Sequence, residues 1–141
     1  MDQQIGYLLK VITDKLKVRA DADFKSYGMT IVQSRILGYL HEWGGEATQK
    51  EIENFLQVAH PTAYDIVSRM ERNGFLITWL DSGDKRNKIV KMTEKAVSIG
   101  EEIKIIMKEN DKRLLRSLTE EQITEFKNTL MVIYKNPDWD K

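Results

Sequence analysis

The sequence predicts a mainly α-helical fold carrying one small β-hairpin. Three observations lead there. Apolar residues recur at helical spacing over most of the chain. Thr-x-x-Gln/Glu boxes and well-placed glycines punctuate it. One stretch, Phe75 to Met92, instead reads as two strands around an Asp81-Ser82-Gly83 turn. The 141 residues include only two Pro and eight Gly, which suits long elements and few loops.

The elements follow in order. Ile5, Leu8, Leu9, Ile12 and Leu16 form the stripe of a first helix. A capping box at Thr30-Ile31-Val32-Gln33 opens a second, with Ile36, Leu37 and Leu40 on its apolar side and Gly44-Gly45 closing it. The same box at Thr48-Gln49-Lys50-Glu51 opens a short third helix bearing Ile52, Phe55 and Leu56. His60-Pro61 starts the fourth, with Pro expected at the first helical position, Ala63, Ile66, Val67 and Met70 buried, and Gly74 beyond its end. Strands are expected over Phe75–Leu80 and Lys88–Met92. Thr93-Glu94 then begins a long fifth helix running past Leu114, interrupted on its apolar side by Asn110. A third box, Thr119 to Gln122, opens the sixth, lined by Ile123, Phe126, Leu130, Ile133 and Tyr134. The expected order is α-α-α-α-β-β-α-α.

Composition removes several function classes. The chain has no Cys, which excludes disulfides, thiolate metal sites and Cys nucleophiles. Two His and no Cys make a poor metal set, and no phosphate loop or nucleophile-elbow motif is present. No catalytic residues, metal or cofactor are therefore expected. No apolar run suggests a membrane span and the N-terminus lacks a signal-peptide layout, so the expected location is cytoplasmic. Formal net charge is zero. A neutral total argues against an indiscriminate nucleic-acid coat but allows one basic face.

That face is written into the middle of the chain. Only Gln57-Val58-Ala59 and His60 separate the third helix from the bulk of the fourth, a spacing suited to a helix-turn-helix whose second helix enters the DNA major groove. With its apolar side buried, the fourth helix displays His60, Thr62, Tyr64, Asp65, Ser68, Arg69 and Arg72. Asp65 would repel a phosphate or accept from a cytosine amino group. The hairpin beyond carries Lys85, Arg86, Lys88 and Lys91. A basic hairpin in that position is a wing. Arg86 is the candidate for minor-groove insertion, and Asp84 is expected to hold a nearby Arg or backbone amides and stiffen the tip.

These stretches carry a resemblance. "GMTIVQSRILGYL", "PTAYDIVSRMERNGFL" and above all "DSGDKRNKIVKMTEKA" resemble the second helix, recognition helix and wing of the MarR (multiple-antibiotic-resistance regulator) family. Asp84-Lys85-Arg86 matches its Asp-x-Arg wing element, and Met92-Thr93-Glu94-Lys95 its Leu-Thr-Glu-Lys helix start. The resemblance implies a winged helix-turn-helix regulator that is an obligate homodimer, built through its terminal helices, and binds a pseudo-palindromic operator, usually as a repressor. On that template residues 1–28 and 96–141 would supply dimerisation helices around a DNA-binding domain at 30–95. It also implies a small aromatic or anionic effector held between the two parts, where Tyr7, Arg35, Tyr39, His41 and Trp43 are the candidates. An alternative function is a winged-helix protein-interaction module without DNA binding, motivated by the neutral charge, Asp65 and the uncharged strand "ITWL".

Overall fold

The computed structural model describes residues 4–140, so residues 1–3 and 141 of the two outer segments lie outside the described residues. The described chain runs α1 Ile5–Phe24, α2 Ile31–Glu42, β1 Glu46–Thr48, α3 Gln49–Leu56, α4 His60–Arg72, β2 Leu76–Leu80, β3 Lys88–Met92, α5 Glu94–Ser98, α6 Gly100–Leu115 and α7 Glu120–Tyr134, with short 3-10 turns at Lys25–Tyr27 and Pro137–Asp140. The mainly helical winged helix-turn-helix architecture is as the sequence predicts.

Three details differ from expectation. The sheet has a third strand, β1, giving the antiparallel order β1-β3-β2. Ala47 sits opposite Val90, and Thr78 faces Val90 from the other side, so β3 is the central strand. The long fifth helix is broken into α5 and α6 at Ile99, which ends one and begins the other. And α4 starts at His60 with Ala59 as a cap lacking a side-chain bond, which makes Pro61 the second helical residue and puts His60 in the first.

The helix starts rest on the expected threonines. Thr30 and Thr119 form complete capping boxes with Gln33 and Gln122. Thr48 accepts from the Glu51 amide 3.1 Å away, without the reciprocal bond. Gly44 and Gly45 both take positive φ, at 80° and 93°, which lets the chain reverse out of α2 and run straight into β1.

The core is one cluster that draws on α1 to α6 and on all three strands. Ala20 and Phe24 of α1 meet Ile36, Leu37 and Leu40 of α2, Ile52 of α3, Val67 and Met70 of α4, Phe75, Leu76, Val90 and, from α6, Ile103. An Asp23–Arg113 pair at 3.3 Å adds a polar tie between α1 and α6. Asn110, which interrupts the apolar stripe in sequence, is buried on that side of α6.

The two terminal helices behave differently. The expected α1 stripe is helical but mostly bare: Ile5, Leu8, Leu9 and Ile12 are exposed, Leu16 is half-buried, and α1 contributes to the core only near its C-terminal end. Helix α7 buries no residue, and Leu130, Met131, Ile133 and Tyr134 are exposed along it.

Candidate nucleic-acid interface

Helix α3, the turn after it, and α4 form the helix-turn-helix. The turn depends on Gln57, which ends α3 in the left-handed region at φ 57° and ψ 47°. Burial of Ala63, Val67 and Met70 on the core turns the opposite side of α4 to solvent. There Thr62, Tyr64, Asp65, Arg69 and Arg72 are exposed and Ser68 is half-buried. Asp65 is not the isolated acid the sequence suggested: its carboxylate lies 3.3 Å from Arg69 Nε, one helical turn on. Both partners are solvent-exposed, and such a pair is worth at most about 1 kcal/mol, little enough for a phosphate to displace it from Arg69.

The wing is fastened to α4 at three levels. At the base, Thr93 donates its hydroxyl to the Gly74 carbonyl at 2.6 Å and caps α5 by accepting from the Ala96 amide. Lys95 Nζ donates to the Asn73 carbonyl at the end of α4 and sits 4.5 Å over the Phe75 ring. Along β2, the Glu71 carboxylate accepts from both the amide and the hydroxyl of Thr78, at 2.9 and 2.7 Å. Higher up, Lys88 Nζ of β3 lies 4.5 Å over the Tyr64 ring of α4. Glu71, Thr93 and Lys95 were not among the residues singled out from the sequence for the site. Their roles emerge only once α4 and the hairpin lie side by side.

At the tip, Asp84 accepts from the Arg86 backbone amide at 3.0 Å and from its Nε at 3.2 Å. The Arg86 side chain nevertheless remains almost wholly exposed. The guanidinium, then the amide, hold the Asp84 carboxyl below the usual carboxylate range. A depressed acid contributes its ordering above its ordinary pKa and loses it as pH falls through the lowered value. The latch on Arg86 is therefore complete at neutral pH. Lys85 is exposed beside it. Between α3, α4 and the wing lies a groove of about 440 Å³ walled by Lys50, Glu53, His60, Tyr64, Arg86 and Lys88.

The residues expected to hold an effector do not form one group. Arg35 and Tyr39 line a cleft of about 410 Å³ with Phe55, Ile103, Lys104, Met107 and Lys108. Tyr39 stacks on Phe55 with ring centroids 4.6 Å apart, and burial, then the Glu51 charge, pushes its phenol up. His41 faces an adjoining space of about 240 Å³ with Leu37, Met92 and Ala96, which shares Gly38, Glu42, Ile103 and Lys104 with the cleft. The Trp43 ring lies tilted beside that of Tyr39, with centroids 6.2 Å apart, and is not part of the cleft wall. Tyr7 is exposed on α1 and is not part of it either. His41 projects from α2 away from Arg35 and Tyr39, Trp43 lies just beyond the end of α2 one turn on from Tyr39, and Tyr7 belongs to the uncovered end of α1.

The MarR family model matches residues 27–87, from the turn before α2 to the wing tip. The HTH-type transcriptional regulator YwoH of Bacillus subtilis is 31% identical over 123 residues, which is 87% of this chain and 85% of that protein. The chain belongs to the MarR family. It is thus a transcriptional regulator of a non-enzymatic class. Solved structures of MarR-type regulators superpose closely. The DNA complex of MepR from S. aureus matches with a TM-score of 0.85 and 27% identity, over 94% of this chain and 98% of that one. An organohalide-sensing regulator in its 2,4-dichlorophenol-bound form shares the fold, with a TM-score of 0.83 and 24% identity over 96% of this chain and 82% of its own. Among the described residues of this MarR-family chain, no helix is long and apolar enough to cross a membrane.

Proposed function

We propose that this MarR-family protein is a ligand-responsive repressor that binds a pseudo-palindromic operator as a homodimer. The observation that carries the reading is the joined unit of α4 and wing, which presents Arg69, Arg72, Lys85, Arg86 and Lys88 around an exposed helix. In a chain of zero net charge, those cations form a local field suited to a polyanion. MepR, of matching fold, is known in complex with DNA. Residues 30–95 would be the DNA-binding part, and α1 with α6 and α7 the dimerisation part. The uncovered apolar residues of α1 and α7 suit a second copy, which would set two recognition helices about one helical turn of DNA apart.

Selection of bound duplexes from a random pool tests this directly. An inverted repeat is expected, and a pool that stays random would count against operator binding. Arg86→Ala is expected to weaken binding by about tenfold on all sequences and to reduce the salt slope by about 1 per half-site. Titration at several salt concentrations checks it; an unchanged slope would remove Arg86 from the interface.

The effector reading now rests on the Arg35–Tyr39 cleft rather than on all five residues. Phe55 and Tyr39 supply aromatic walls, while Arg35, Lys104 and Lys108 outnumber the one acid, Glu42, a combination suited to an aromatic anion. The α3 and α6 walls come from the two parts that would move relative to each other. Arg35→Ala is expected to weaken the binding of a benzoate-type probe by about tenfold, read by calorimetry, with operator affinity unchanged in its absence. Equal probe binding by both proteins would place the ligand elsewhere.

A further inference from the structure

His60, the first residue of α4, makes a contact that the general role of its helix does not require. Its Nδ1 lies 3.1 Å from Glu53 Oε2, across the helix-turn-helix turn. The Glu53 side chain is only 11% exposed, whereas that of His60 is 67% exposed. The Gln49 amide nitrogen also approaches Nδ1, at 3.3 Å. One nitrogen cannot donate to Glu53 and accept from Gln49 in the same neutral ring. The contact with the carboxylate is the shorter, and because a carboxylate oxygen can only accept, that contact calls for the proton on Nδ1. The other groups walling the groove are Lys50 of α3, Tyr64 of α4, Leu80 of β2, and Arg86, Asn87 and Lys88 of the wing. Among the described residues none of them hydrogen-bonds Nε2.

We propose that Glu53 sets the tautomer of His60 so that each recognition helix offers a hydrogen-bond acceptor, Nε2, to a base amino group in the major groove. The acceptor would select adenine N6 or cytosine N4 over the keto edges of guanine and thymine. Glu53 is a positioning residue; His60 is the reader. The proposal rests on α4 being the major-groove helix. It adds a reason for sequence choice that the cations of α4 and the wing do not provide, since phosphate contacts carry no base information.

Removing the carboxylate should invert the reading. In Glu53→Met, which keeps the side-chain length, Nδ1 is left with the Gln49 N–H. With Gln49 presenting its N–H as it does here, Nδ1 accepts that bond and the proton moves to Nε2.

Two measurements test this. The first is nitrogen NMR of the free protein at about pH 8, where imidazole is neutral. The Nδ1–H form is expected in the wild type and the Nε2–H form in Glu53→Met. An Nε2–H wild type overturns the proposal without any DNA being involved. The second is selection from random duplexes with wild type, His60→Ala and Glu53→Met. One position per half-site should prefer A or C by about five- to tenfold, the discrimination of a single base-edge bond. That preference should flatten in His60→Ala and move toward G or T in Glu53→Met, with other positions retained. Full retention of the wild-type preference in His60→Ala, an exposed residue whose loss should not unfold the chain, overturns it while leaving operator binding intact. A wild type that recovers no repeat sinks the operator reading and this one with it.

Discussion

Leu9→Glu and Leu130→Glu are each expected to yield folded monomers that lose operator affinity by a factor on the order of 10² or more. Both leucines are already solvent-accessible in the single chain, at 49% and 40%, so a charge there does not disturb the core. Against a second copy the same charge would have to be desolvated, at a cost of several kcal/mol. A dimer engages two half-sites, and linking two binding events typically raises avidity by about 10²–10⁴. A monomer forfeits that gain while keeping every contact of its own helix and wing. Sedimentation velocity, circular dichroism and operator titration together decide the matter. If the glutamate variants sediment as dimers, the bare faces of α1 and α7 have another purpose.

Phe75→Ala should have the largest effect on stability, about 3–5 kcal/mol. Phe75 is 1% exposed and is among the largest fully buried side chains. It stands where α4 gives way to the hairpin, with its amide bonded to the Met70 carbonyl and its carbonyl accepting from Thr93. Truncation opens a cavity beneath the wing and removes the ring under Lys95. The loss corresponds to a fall in melting temperature of roughly 10 °C or more for a chain of this size. Urea unfolding at fixed protein concentration checks it, because a dimer's stability depends on concentration. A loss below about 1 kcal/mol would mean the site collapses around the gap.

Much of this was legible before any coordinates. Thr30 and Thr119 announce their helices because a capping box is local, spanning only four residues. The displayed side of α4 follows from its 3.6-residue periodicity. The Asp84–Arg86 latch spans two positions and was foreseeable from charge alone. What could not be read depends on distant partners. Glu46–Thr48 is too short to show alternation, and it becomes a strand only by pairing with β3. The break at Ile99 carries no side-chain cap to signal it. Asp65 and Arg69 are four residues apart on one helix, so their pairing was within reach of the sequence and was missed. Glu53 and His60 are seven apart with a left-handed Gln57 between them, so their meeting was not. The effector candidates dispersed because their grouping came from a family template, whereas helical spacing already separates His41 from Arg35 and Tyr39.

The cation of Lys88 above the Tyr64 ring has a consequence for how such a protein can change its target. Reading helix and hairpin are cross-braced, here and through Glu71 with Thr78. Swapping α4 alone into a relative would leave the brace without its other end and tilt the graft. New binding preferences should therefore arise by paired substitutions, one on the helix and one on the returning strand. A transplant that carries both ends should preserve the donor's preference where the helix by itself does not.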